Sequence, residues 1–139
     1  MKMSRLILVL AIIMSTAYSC KESKQDSSQM KKVLAIHDEV MPKMGTIGSL
    51  ISTLDEKISE GDTTEQYATA RQDLKAAHKS MMDWMKNFGE RFDGDEIMKG
   101  KSLTEEKQQW LDEEEVKVKA LRDQINSSIK NAEDLLANP

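Results

Sequence analysis

Apolar residues recur along most of the chain in alternating steps of three and four, which is the spacing of one face of an α-helix. The first series runs through nine positions without interruption, as in helical bundles and coiled coils. Gly61 follows it and is placed to end the helix, because glycine readily adopts the left-handed conformation found at helix C-termini. The pattern predicts a helix over residues 29–60. Its core positions, one of them a histidine, are Met30, Val33, His37, Val40, Met44, Ile47, Ile51, Leu54 and Ile58.

A second series predicts a helix over residues 63–89. Asp62 and Glu65 are spaced as in a capping box, which satisfies free backbone N–H groups at a helix start. Residues 90–101 carry two glycines among charges and predict a loop. The acidic stretch 93–96 within it lacks the alternating ligands of a calcium loop and is interpreted as a solvated turn. The core positions of the second helix are Tyr67, Ala70, Leu74, Ala77, Met81, Trp84 and Phe88.

A third series predicts a helix over residues 103–136, opened by a second capping-box pair, Ser102 and Glu105. Glu114 and Ser128 interrupt its apolar positions. Aromatic residues make up only 4% of the chain, with 6 Gly and 2 Pro, which argues against sandwiches and barrels. The expected fold class is therefore all-α, an antiparallel three-helix bundle over residues 29–139. The third series comprises Leu111, Val118, Leu121, Ile125, Ala132 and Leu135.

The first 19 residues predict a signal peptide. A basic start precedes an apolar run over residues 6–14, too short for a membrane-spanning helix of about 20 residues. The segment Ala17-Tyr18-Ser19-Cys20 resembles the lipobox of bacterial lipoproteins, in which the cysteine is lipidated and becomes the mature N-terminus. Cys20 is the single cysteine of the chain, so no internal disulfide is available. An ordinary secreted protein with a free thiol is the alternative.

These features predict a protein held in the bacterial cell envelope by a lipid anchor, on the outer membrane and facing the periplasm or the surface. Residues 20–28 are expected to be the lipidated cysteine and a flexible polar tether. Removal of Lys2 and Arg5 with the signal peptide leaves 18 basic and 24 acidic residues, a net charge of −6. That balance argues against nucleic acid as a partner.

Enzymatic chemistry is not expected. The sequence contains no Gly-rich phosphate loop, no His-Glu-x-x-His pattern and no nucleophile elbow. The first interpretation is therefore a non-enzymatic helical module with an interaction or structural role, which can bind another protein or form a homodimer.

Both histidines of the chain begin the same short pattern, His followed by Met four residues later and by Met again three residues after that. The two copies are His37, Met41, Met44 and His78, Met82, Met85. Such positions share one face of a helix, so each copy presents one imidazole and two thioethers to the same side. If the hairpin turns at Gly61, the facing pairs are His37 with Met85, Met41 with Met82, and Met44 with His78.

Imidazole and thioether donors without thiolates favour Cu(I) or Ag(I), whereas zinc prefers Cys, His or carboxylate. Trp84 lies beside the second copy and can shield a monovalent cation with its ring face. Pro42 lies inside the first copy and predicts a kink there. Haem held by one His and one Met is a weaker interpretation, because the chain has no Cys-x-x-Cys-His motif. Soft-metal binding is thus the alternative function.

The same residues also fit an ordinary core. Met fills irregular gaps between helices, and His37 falls on the apolar face, where Asp38, Glu39 or Glu114 could accept its hydrogen bond. In this interpretation the repeated pattern is an adaptable core or a peptide-binding groove.

The segments His37-Asp38-Glu39-Val40-Met41-Pro42-Lys43-Met44 and Met81-Met82-Asp83-Trp84-Met85-Lys86-Asn87-Phe88 resemble those of a family of small, uncharacterised bacterial lipoproteins. Some members of that family carry the label "viral A-type inclusion protein". The resemblance covers most of the mature chain. It implies a lipoprotein with a helical fold, and it brings no activity and no catalytic residue.

Overall fold

The structure, a computed structural model, describes the backbone of residues 22–61 and 65–138. This part of the chain contains helices and no strand, which confirms the all-α prediction. None of its helices is long and apolar enough to cross a membrane. The predicted signal peptide, Cys20 and the cap at Asp62 lie outside the described residues. The helices are α1 Glu22–Val40, α2 Lys43–Ser59, α3 Glu65–Arg91, α4 Gly94–Met98 and α5 Glu105–Ala137.

The helices form a bundle with three long arms. The first arm consists of α1 and α2, the second of α3 and the third of α5, and each arm packs against the other two. Gln29 of α1 hydrogen-bonds to Asp112 of α5 (Nε2 to Oδ1, 2.9 Å), and Lys43 of α2 to Asn126 of α5 (Nζ to Oδ1, 2.5 Å). The later residue of the first arm contacts the later residue of α5, so the first and third arms run in the same direction. The connecting turn makes α3 antiparallel to both.

The first arm is interrupted at Pro42, where the sequence predicts a kink. Pro42 itself has helical dihedral angles, φ −60° and ψ −25°. The N–H of Met41 still donates to the carbonyl of His37 (2.9 Å), whereas the N–H of Met44 donates to the carbonyl of Met41 (3.1 Å), one residue closer than in an α-helix. Because proline has no N–H to give, the ladder loses a bond here and α2 starts anew.

The first arm ends at Gly61, as predicted. Its φ of +95° lies in the left-handed region, which suits a residue without Cβ. The N–H of Gly61 donates to the carbonyl of Ile58 (3.3 Å), which closes the last turn. The chain then passes into α3 through residues outside the described part.

The core follows the predicted apolar series. All seven positions predicted for the second helix are buried on α3. On α5 the two polar residues that interrupt the series, Glu114 and Ser128, are buried along with the apolar ones except Leu135, which is partly buried. The buried members of the first series are Met30, Val33, Val40, Ile47 and Leu54.

The predicted tether over residues 20–28 is wrong from Glu22 onward, because α1 begins there. No Gly or Pro interrupts this polar stretch, so nothing in it breaks a helix once the following turns are fixed. Those turns pack on the bundle through buried Met30 and Val33, and the side-chain amide of Gln29 donates to both Asp112 (2.9 Å) and Glu115 (2.8 Å) of α5.

The predicted loop over residues 90–101 is also partly wrong. Helix α3 continues to Arg91, Phe92 is buried, and the short helix α4 follows. Asp93 and Glu96 form a capping box at its start, with the Asp93 carboxylate accepting from the N–H of Glu96 (2.9 Å) and the Glu96 carboxylate from the N–H of Asp93 (2.8 Å). The acidic stretch that was interpreted as a solvated turn is therefore a helix cap.

The start of the last helix differs from the prediction by two residues. Thr104 is the N-cap of α5, and its hydroxyl accepts from the N–H of Lys107 (3.2 Å). Ser102, the predicted cap, lies in the preceding segment, which has no regular secondary structure. Both residue types cap helices well, so the sequence alone does not separate them.

Candidate functional site

The predicted His–Met region lies where α1 ends and α3 passes alongside it. His37 is in the last turn of α1, with 22% of its side chain exposed. Its Nδ1 lies 2.9 Å from Oδ1 of Asp38, and its Nε2 lies 3.3 Å from Sδ of Met85 on α3. One side chain of α1 therefore joins a carboxylate on its own helix to a thioether on the neighbouring arm.

The Asp38 contact favours a proton on Nδ1 of His37. An ionised carboxylate only accepts hydrogen bonds, so Nδ1 of His37 is the donor in this pair. In the neutral ring, Nε2 is then unprotonated and its lone pair faces the sulfur of Met85. Thioether sulfur is a weak hydrogen-bond acceptor, so Nε2 donates to it when it carries a proton. When Nε2 carries none, the nitrogen and sulfur lone pairs face each other and can bind a cation between them.

Aromatic rings line the same side of the site. The ring centroids of His37 and Trp84 lie 5.8 Å apart, and Trp84 stacks on Phe88 at 4.9 Å. Phe88 continues the row to Phe92 at 4.9 Å. Trp84 is 7% exposed, and its Nε1–H has no hydrogen-bond partner within the described part of the chain. The imidazole thus lies against a largely buried row of aromatic side chains.

The structure brings together some of the predicted site residues. The predicted pairing of His37 with Met85 is confirmed by their contact, with Trp84 beside them. His78 is exposed on α3, so the two copies of the pattern occupy different environments. The three other methionines of the pattern are partly buried and pack against the core: Met41, Met44 and Met82.

A buried charge cluster was not predicted as such. Glu114 was one of three candidate partners for His37, and Asp38 takes that role instead. Glu114 is 1% exposed and accepts from Nη1 of Arg91 (3.0 Å) and Nζ of Lys117 (2.9 Å). One feature of the sequence could have predicted this cluster. Glu114 occupies a core position of the third series, and a buried carboxylate requires a cationic partner nearby.

These observations define the class of protein as an all-α bundle. Its distinctive contact is the one between His37 and Met85. Among the described residues, no three His, Cys, Asp or Glu side chains cluster in a way that could hold a metal ion. Comparisons of the chain with protein-family models, curated proteins and solved structures found no match.

Proposed function

We propose that the chain is a lipid-anchored, non-enzymatic helical module of the bacterial envelope, with an interaction or structural role. The observation that supports this proposal is the extent of the bundle. Helix α1 already begins at Glu22, two residues after the cysteine of the lipobox-like segment. An anchor at Cys20 would join the bundle to the membrane through a very short connection.

The dimensions of the bundle suit such a role. Helix α5 has 33 residues, which at the rise of an α-helix corresponds to roughly 50 Å. The Gly61 turn lies at the opposite end of the first arm from Glu22. A module anchored at Cys20 would hold this turn away from the lipid surface, where another envelope component can reach it.

The anchor is tested by metabolic labelling of the full chain with radioactive palmitate in a bacterial host, followed by membrane fractionation. We expect the label in the wild type and its complete loss in Cys20→Ser, because serine has no thiol to form the thioether. Ser19→Ala is the matched control, since it keeps a small residue before the cysteine, and it should remain labelled. An unlabelled wild-type chain that is released in soluble form would refute the anchor.

A further inference from the structure

We infer that His37 and Met85 are two ligands of a binding site for a soft monovalent cation, Cu(I) or Ag(I). The inference concerns the bundle itself and does not depend on lipidation of Cys20. It rests on the 3.3 Å approach of His37 Nε2 to Met85 Sδ, two atoms that both act as electron-pair donors toward metals.

The donor types select the ion. Thioether sulfur is a soft ligand that binds Cu(I), and imidazole suits copper as well. Harder ions such as Mg²⁺ and Ca²⁺ take oxygen ligands, which the facing pair does not provide. The nearest carboxylate, that of Asp38, is turned to the other ring nitrogen (2.9 Å) rather than to the sulfur.

The surroundings are those of a metal-binding histidine. A ligating imidazole commonly donates its second N–H to a carboxylate, which fixes the ring and raises its basicity. Asp38 provides that acceptor at Nδ1 of His37. Trp84 packs beside the imidazole at 5.8 Å between ring centroids, and its electron-rich face favours a nearby monovalent cation. His37 keeps partial exposure, which leaves a path from solvent.

The distance also indicates how many ligands the ion would have. Using about 2.0 Å for metal–nitrogen and about 2.3 Å for metal–sulfur bonds, donors 3.3 Å apart subtend roughly 100° at a shared ion. That angle belongs to three or four ligands and not to a linear pair. Met41 follows His37 by one helical turn and Met82 precedes Met85 by nearly one. Both are partly buried against the core, and we assign the third ligand, a second sulfur, to this pair of methionines.

The test uses the full chain with Cys20→Ser, because the only thiol would itself capture a soft metal. The protein is kept in mild detergent. Ag(I) is the first probe, since it undergoes no redox chemistry under these conditions. Nitrogen-15 NMR of the two imidazoles follows the titration. We expect one equivalent of Ag(I) to shift Nε2 of His37 while His78, exposed on α3, does not respond. Equal shifts of both histidines would overturn the site.

Affinity for Cu(I) is then measured anaerobically against a chromogenic chelator. Met85→Leu should weaken binding by more than Asp38→Asn, which loses only the orienting carboxylate and should cost about 10-fold. Met98→Leu is the matched control, because Met98 is 79% exposed and far from the motif in sequence. Circular dichroism verifies that each variant stays helical. If Met85→Leu binds Cu(I) as tightly as Met98→Leu, the inference is wrong and the methionine is a packing residue.

The third ligand is identified by the same assay. Met41→Leu and Met82→Leu are compared singly and together, since leucine keeps the volume and removes the sulfur. We expect the double variant to bind at least about 10-fold more weakly than the parent chain, by analogy with the loss of a supporting ligand interaction. Unchanged affinity in the double variant would overturn the assignment of the third ligand to this pair.

Discussion

Glu114 carries a charge into the centre of the bundle, where only 1% of its side chain is exposed. Two cations reach it, Arg91 at 3.0 Å and Lys117 at 2.9 Å, while its Oε2 has no hydrogen-bond partner in the described part of the chain. Replacing a buried ion pair by apolar residues is often neutral, whereas removing one partner leaves the other charge uncompensated. The stability of the bundle should therefore depend on which member is changed.

We predict that Arg91→Met lowers the free energy of unfolding by about 1–3 kcal/mol, because it removes a hydrogen-bond partner of a buried carboxylate. Methionine keeps much of the side-chain volume that packs on Trp110, whose ring centroid lies 5.5 Å from the Arg91 guanidinium. In a Glu114→Leu background the same change should cost much less, since no buried charge remains. Urea unfolding of the four chains of this double-mutant cycle measures the difference. An equal cost in both backgrounds would show that Arg91 acts instead through Trp110 or through Glu113, whose Oε2 lies 2.7 Å from Nη1 of Arg91.

At the scale of elements, the short helix α4 depends on one cap. Asp93 accepts from the backbone N–H groups of Asp95 and Glu96, both at 2.9 Å, and from Nζ of Lys101, also at 2.9 Å. The hydrogen bond from Lys101, followed by that from the backbone of Glu96, lowers the pKa of Asp93 from 3.8 to about 2. A carboxyl group with a lowered pKa in the folded state stabilises that state while it is ionised.

The cap should make stability depend on acidity in a definite direction. The ionised Asp93 carboxylate contributes its full stabilisation at pH values above its unfolded pKa of 3.8. That stabilisation is lost as the pH falls through its folded pKa of about 2. Asp93→Asn keeps a capping side chain but removes the charge. We predict that the wild type is the more stable of the two near neutral pH and that this advantage shrinks between about pH 4 and pH 2. Urea unfolding across that range tests it, and an advantage that stays constant down to pH 2 would contradict the assignment.

The elements differ in how well the sequence predicts them. The core face of α3 was predicted at every position, because burial on one side of a helix imposes a regular spacing that needs no tertiary information. Helix ends were predicted less well. Ser102 and Thr104 offer nearly equivalent caps, and the choice depends on how α5 packs. The first turns of α1 are polar, and the hydrogen bond that links Gln29 to Asp112 of α5 joins residues 83 apart in sequence, which a local pattern does not predict.

The candidate site shows the same limit. The hairpin register brought His37 opposite Met85, as predicted, because the turn position fixes which residues lie at the same level. The register does not fix the rotation of each helix about its own axis. His78 follows Ala77, a buried core position of α3, and so lies beside the apolar face and is exposed. His37 instead falls on the apolar series of the first arm, so the same place in the two copies lies at different angles to the core.

At the scale of the whole molecule, the described residues expose their large apolar side chains singly rather than as one contiguous patch. Homodimer interfaces are usually rich in apolar residues, and stable ones bury large contiguous surfaces. In the part of the chain that the structure describes, the large apolar residues that are clearly exposed are Met98 on α4 (79%) and Val116 on α5 (69%). They are separate residues on different helices, and isolated exposed apolar side chains are ordinary on soluble surfaces.

We therefore predict that the chain from residue 20 onward, with Cys20→Ser, sediments at equilibrium with the mass of one chain at micromolar concentration. Val116→Lys should leave that mass unchanged, because a residue outside any interface has no effect on association. If the parent chain sediments as a dimer and Val116→Lys dissociates it, the exposed valine belongs to an interface between copies. If a dimer forms and neither Val116→Lys nor Met98→Lys dissociates it, the interface lies on polar surface. Because the chain has a net negative charge, salt should then screen the repulsion between copies and strengthen their association.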